Sequence, residues 1–205
     1  MSLVSNLFLL FVAAAVIVYY LVPARWQWLV LLGFSYIYYI AGGIKYVGFL
    51  LFSTLVTWMI ALLIEKEETA GKHKRARKFV ILGLILNFGM LGLIKYTNFA
   101  VENLNALFHM NLRGMAILLP LGISFYTFQS SGYLLDVYWK RCEAEKHPLK
   151  YALFVSFFPQ ILQGPIGRYS RLAHQLYDSH KFESRNITRG LERILWGFFK
   201  KMILA

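Results

Sequence analysis

A single cysteine, Cys142, stands in the whole chain, which excludes an internal disulfide and a paired-cysteine metal motif. Acidic side chains are scarce, ten Asp and Glu against 22 Lys and Arg. No His, Cys or acid cluster has metal-ligand spacing, and no Walker-type glycine loop is there to cradle a phosphate. The composition of a soluble domain is missing too: 58% of residues are hydrophobic, 17% are aromatic, and mean hydropathy is positive. Proline is rare, and four of the five (Pro120, Pro148, Pro159 and Pro165) fall between residues 119 and 169.

What the chain does have is a series of apolar runs of about 18–20 residues, the length that crosses roughly 30 Å of hydrocarbon. They predict an all-α polytopic membrane protein, one membrane domain over residues 1–205, with about five transmembrane helices, a re-entrant hairpin and interfacial amphipathic helices. The expected spans are Leu3–Val22, Trp26–Ile40, Ile44–Ile64, Phe79–Ile94 and Met115–Trp139. A net charge of +12 would suggest nucleic acid in a soluble protein. Here the cations cluster between apolar runs, so a positive-inside bias accounts for them and no nucleic-acid partner is expected. The most cationic loop, residues 65–78, is assigned to the cytoplasm, which puts the N-terminus outside and Arg25 inside. The first run lacks a basic n-region and a small-residue cleavage site, and so reads as a retained span. Residues Asn98–Leu112 carry Phe99, Leu104, Leu107, Phe108 and Leu112 on one side. That period suits a separate helix in the outer interface, with an extension of the fourth span as the alternative. Cys142, beside a membrane end, is either a plain loop cysteine or a palmitoylation site.

The fifth span is unusually polar. Ser124, Thr127 and Ser131 share one helical face, and Gln129, Gly132 and Asp136 another. Such groups either pack the helix within a bundle or line a site, and Asp136 either sits at the interface near Trp139 or belongs to that site. The run Tyr151–Gly167 is apolar but broken by Pro159, Gly164, Pro165 and Gly167, with Lys146 and Lys150 before it and Arg168 and Arg171 after it. A crossing would leave one cationic pair outside, whereas a re-entrant hairpin keeps both in the cytoplasm; a proline-kinked span is the plainer reading. Gln160 and Gln163 are placed to satisfy backbone groups that the breaks release. In the tail, Ile187, Leu191, Ile194, Leu195, Phe198 and Met202 form an apolar stripe, Asn186 is the expected N-cap, and Arg185, Arg189 and Arg193 form a row. That basic face suits anionic lipid or an acidic soluble partner. The sequence stops at Leu204–Ala205 inside an apolar helix, which suggests the N-terminal fragment of a longer protein.

Two motifs stand out. Leu119, Pro120, Gly122, Ile123, Ser124, Phe125, Thr127, Phe128 and Gln129 spell L-P-x-G-I-S-F-x-T-F-Q. Phe158, Pro159 and Gln160, then Gly164, Pro165, Ile166, Arg168 and Tyr169, spell F-P-Q and G-P-I-x-R-Y. With Gly197, Lys200 and Lys201, they resemble the membrane-bound O-acyltransferase family, nearest to its bacterial alginate O-acetyltransferase branch, which is related to the teichoic acid D-alanyl transferase. The resemblance implies a ring of helices around a funnel through the bacterial plasma membrane. It implies no bound cofactor but a thioester co-substrate, acyl-CoA or acyl carrier protein, arriving from the cytoplasm. The acyl (acetyl) group would pass to a hydroxyl of an extracytoplasmic polysaccharide or lipid, or to an acyl-relay protein outside. Pro159, Gln160, Gly164, Pro165, Arg168 and Tyr169 would shape the donor mouth, with Ser124, Thr127, Gln129 and Asp136 as polar lining. The family's catalytic histidine, a general base, lies beyond G-P-I-x-R-Y. None of His73, His109, His147, His174 and His180 occupies that place, so no catalytic residue is expected here. From the residues alone, a carrier and a non-catalytic scaffold for an acidic cytoplasmic partner stay open.

Overall fold

The computed structural model describes residues 6–108, 122–164, 166–200 and 203. The start of the first span at Leu3, His109, Leu112, the start of the fifth span at Met115, Leu119, Pro120, Pro165, Lys201, Met202 and the Leu204–Ala205 end lie outside the described residues. Those that are described form nine α-helices and no strand.

Helix α1 (Asn6–Leu21) ends just before Pro23, which has no N–H to continue it. The chain turns through a 3-10 helix at Ala24–Trp26 into α2 (Gln27–Gly42). Gly43, at φ +137°, reverses it into α3 (Lys45–Thr69). Among the described residues, α3 and α4 (His73–Phe108) are the helices long and apolar enough to cross a membrane; α1 is a shorter apolar helix. Large side chains on all three stay exposed, with Leu10 at 68%, Ile85 at 62% and Leu93 at 69%, an outer surface suited to hydrocarbon.

Two sequence expectations are corrected here. Residues 65–78 are not a loop: α3 runs on to Thr69 and α4 begins at His73, leaving only a tight turn with Gly71 at φ +71°. The stretch from Asn98 is not a separate interfacial helix either. It continues α4, whose 36 residues at 1.5 Å each reach about 54 Å, well beyond the roughly 30 Å of hydrocarbon.

Helices α3, α4 and α5 (Ile123–Tyr138) form the central layer. A saturated amide joins the first two. Asn87 donates to Thr57 Oγ1 at 2.9 Å and to the Gly83 carbonyl at 3.0 Å, and accepts from Ser53 Oγ at 3.0 Å. All three side chains are buried among Ile60, Leu91 and other apolar groups. Where water is absent, such interhelical bonds hold register as well as contact. Short helices α6 (Pro148–Ser156), α7 (Phe158–Gln163) and α8 (Tyr169–Tyr177) pack against α2 and α5, and α9 (Ser184–Phe199) follows. Helix α9 begins at Ser184 with Glu183 as its cap. Asn186, the expected cap, lies inside the first turn and donates to Glu183 Oε2 at 2.9 Å.

Element order sorts the charges. The α1–α2 corner with Arg25, the α3–α4 turn with Lys66, Lys72 and Lys74, and the α5–α6 connection with Lys140, Arg141 and Lys146 share one end of the bundle. Contacts confirm the grouping: Lys140 Nζ lies 3.5 Å from Glu68, Glu65 Oε1 accepts the Ala144 N–H at 2.8 Å, and Trp28 meets His147 ring to ring at 5.5 Å.

Replacing Asn87 by Ala strands the buried Ser53 hydroxyl and takes a donor from Thr57, so the chain in detergent micelles should lose about 1–3 kcal/mol of stability, read by SDS titration. Asn103→Ala, on the exposed part of α4, is the control and should change stability by under about 0.5 kcal/mol.

Candidate functional site

The α5–α6 connection is organised by one carboxylate that the sequence does not single out. Glu145 accepts the Tyr169 hydroxyl at 2.6 Å and the His147 N–H at 2.9 Å. Its own backbone N–H donates to Tyr133 Oη at 2.8 Å, and its carbonyl accepts from the Trp58 indole at 2.7 Å. One loop residue thus ties together α3, α5 and α8. The only hint in sequence is an acid set among Lys140, Arg141 and Lys146. Next to it, burial, with Asp136 and then Glu65 nearby, pushes the Cys142 thiol up to about 12.

From this loop the chain runs inward and comes back. Tyr151 is fully buried and its ring packs at a tilt on Tyr133 at 4.7 Å, and the Phe154 carbonyl accepts from Gln129 Nε2 at 2.9 Å. The helix then breaks at Phe157 (φ −51°, ψ 108°). The break precedes Pro159, which instead sits in the first turn of α7, where its missing N–H is harmless. The freed Phe158 N–H is taken by Ser35 Oγ of α2 at 3.2 Å rather than by either glutamine; the side chain of Gln163 lies outside the described atoms. Phe158 itself packs between Phe8, Phe11 and Tyr38, and Ile161 reaches Gly122 at the start of α5. The return ends where it began: the Tyr169 ring packs at a tilt on Tyr133 at 4.7 Å, and Tyr177 Oη donates to the Lys150 carbonyl at 2.7 Å.

Gly122 and Gly164 are required by this packing, since a Cβ at Gly164 would lie 2.7 Å from the Gln160 Cα and 2.9 Å from its carbonyl oxygen. Gly122 holds φ +68°, and a Cβ there would lie 2.5 Å from the Ile161 carbonyl oxygen. A Cβ at Gly167 would lie 2.5 Å from Gln160 Nε2, so the returning segment lies directly on that buried side chain.

The return segment forms two cavities. One, of about 540 Å³, is lined by Pro159, Gln160, Gly164, Gly167, Arg168 and Arg171. The other, of about 250 Å³, is lined by Gln129, Asp136, Arg168 and Tyr169, so Arg168 faces both. The structure therefore gathers the described signature residues and brings Gln129 and Asp136 beside them. Ser124 and Thr127 stand elsewhere: Ser124 Oγ accepts from Lys95 Nζ at 3.4 Å, and Thr127 is fully buried. Asp136 is buried at the end of α5, 3.5 Å from the Arg141 guanidinium, which covers the Trp139 ring. One histidine gains a carboxylate partner invisible in sequence, since His73 Nδ1 lies 2.8 Å from Glu68 Oε2. That pair clamps the α3–α4 turn and borders neither cavity.

Nearly the whole chain aligns with known proteins. A probable alginate O-acetylase of Azotobacter vinelandii is 35% identical over 98% of this chain and 41% of the relative. One of Pseudomonas aeruginosa is 35% identical over 98% and 39%. A peptidoglycan O-acetyltransferase of Helicobacter pylori is 34% identical over 87% and 38%. The resemblance carried by the two motifs thus extends over nearly the entire sequence, and the chain spans about two fifths of the length of the curated relatives it matches. No family model matches the chain, and no solved structure matches it.

The high Cys142 pKa leaves little thiolate at pH 8, so iodoacetamide should modify it at least about tenfold more slowly than an ordinary cysteine, by mass spectrometry, speeding up only well above pH 10. Glu145→Ala strips acceptors from Tyr169 and should cost about 1–3 kcal/mol in the same SDS titration as Asn87→Ala.

Proposed function

We propose that this relative of the alginate O-acetylases is the part of a membrane O-acyltransferase that admits a cytoplasmic thioester donor, its acetyl group passing to a hydroxyl of an extracytoplasmic polysaccharide. The observation that carries the reading is the hairpin with Arg168 at its return. Both its ends meet at the basic end of the bundle, at Lys150–Tyr177 and Glu145–Tyr169. Its tip lies beside Gly122, eleven residues along α5 from Tyr133. At 1.5 Å per residue that is about 16 Å past the level of Tyr133, beside which the two ends meet. This supports a re-entrant segment over a crossing, and it keeps Lys146, Lys150, Arg168 and Arg171 on one side. With the cations at that end taken as cytoplasmic, the bundle is multi-pass with its N-terminus outside.

In this reading the larger cavity is the donor mouth. A thioester carried on coenzyme A or on an acyl carrier protein arrives with anionic groups. Arg168 and Arg171, both exposed, supply the positive field. Gln160, pinned under Gly167, offers a fixed amide to a polar part of the donor. Gln129 and Asp136 continue the polar path along α5. The relatives' length beyond the matched two fifths leaves room for the general base that the acceptor hydroxyl needs. The carrier reading has less support, since only one broken segment occurs among the described residues and carriers pair two.

In the full-length enzyme, Arg168→Ala should lower acetyl transfer about tenfold or more, mainly through a raised KM for the thioester. Gln160→Ala should lower it several-fold. If transfer and thermal stability are both unchanged in the two variants, the donor-mouth assignment fails.

A further inference from the structure

Helix α9 contributes no buried residue, although Leu191, Ile194, Leu195 and Phe199 lie on it with half or more of most of these side chains exposed. At 100° per residue, Ile187, Leu191, Ile194, Leu195 and Phe198 fall in one arc, and Arg185, Arg189 and Arg193 in the opposite one. Trp196 stacks on Phe199 at 5.2 Å and 8°, with Lys200 Nζ 5.4 Å from the indole centroid, an apolar plate edged by a cation. A helix with these two faces is built to lie in a membrane surface, not to cross it.

Its place in the fold says which surface. The connection leading to α9 is fastened to the α1–α2 corner, 153 residues away in sequence. Gln27 Nε2 donates to the His180 carbonyl at 3.0 Å, and the His180 N–H donates to Gln27 Oε1 at 2.9 Å. Tyr19 Oη lies 3.0 Å from His180 Nδ1, and Phe182 packs edge-on to Tyr20 at 5.3 Å. That corner carries Arg25, Trp26 and Trp28, the aromatic and cationic signature of a headgroup boundary. Helix α9 therefore starts at headgroup height on the basic end of the bundle.

We infer that α9 is an interfacial anchor that binds anionic phospholipid of the leaflet facing the bundle's basic end. This rests on the membrane orientation proposed above. The apolar arc enters the acyl boundary, while the arginine row adds attraction that grows with the lipid's negative charge and weakens with salt. The acidic side chains on the same helix are Glu192 alone, and Glu183 caps it. With three arginines against Glu192, α9 is net positive.

The test uses the whole chain in lipid nanodiscs. Cys142→Ser removes the native thiol, and an environment-sensitive fluorophore is attached through Leu195→Cys or, as a control, Ile17→Cys on the exposed face of α1. Doxyl-labelled lipid reports contact with the acyl region. Quenching at position 195 should be at least about threefold stronger with 30% phosphatidylglycerol than with phosphatidylcholine alone. It should fall back on changing Arg185, Arg189 and Arg193 to Gln, or in 0.5 M NaCl. Quenching at 17 with none at 195 in either lipid overturns the inference and leaves the membrane reading intact. Equal quenching at 195 in both lipids, unmoved by the Gln variant, overturns the anionic preference, as does protection of 195 by added polyglutamate in place of lipid. Absence of quenching at 17 sinks the membrane reading and this inference together.

Discussion

A helix can break inside an apolar bundle only when the peptide groups it frees find other partners, and the hairpin between α6 and α8 depends on that condition being met at Phe157. Ser35 Oγ of α2 takes the Phe158 N–H, Gln129 of α5 takes the Phe154 carbonyl, and Pro159 removes a donor that would otherwise need one. An unpaired peptide group in an apolar core costs several kcal/mol, so these three devices decide whether the segment turns back at all. Everything proposed for the site follows from the turn, since without it Gly167 would not lie over Gln160 and Arg168 would not line a cavity with Asp136.

Polar groups act at two further levels of the same bundle. In the middle of α3 and α4, Asn87 is satisfied on three sides and fixes their register. Towards the basic end, Glu145 joins three helices through its carboxylate and its backbone. Helix α3 takes part in both, through Thr57 and Trp58, adjacent residues that face different neighbours. A rigid α3–α4–α5 layer with the hairpin laid against it gives the cavities fixed walls.

Much of this was legible in the sequence. Apolar runs and the breaker residues Pro23, Gly42 and Gly43 predict α1, α2 and α3 within a few residues, because length and interruption are local properties. The Tyr151–Gly167 stretch announces itself through its prolines and glycines. The break at Phe157 does not, because its cause lies 123 residues away at Ser35. The basic stretch 65–78 reads as a loop on charge alone, yet Glu65 and Glu68 are good helix formers, and the Glu68–His73 contact closes a turn of only three residues between the helices. The amphipathic period from Asn98 is correctly helical, but period alone cannot tell a new helix from the continuation of an old one. Glu145 was invisible for a different reason: its partners Trp58, Tyr133 and Tyr169 come from three helices, and no spacing rule links them.

The seat of the hairpin tip also bears on the order in which the molecule is put together. Phe158 rests on Phe8, Phe11 and Tyr38, and Ile161 on Gly122, all of them earlier in the chain. Since a ribosome delivers the N-terminal helices first, the receptacle for the tip is complete before the tip itself is made. The broken segment then emerges beside a finished template and need never be stable alone.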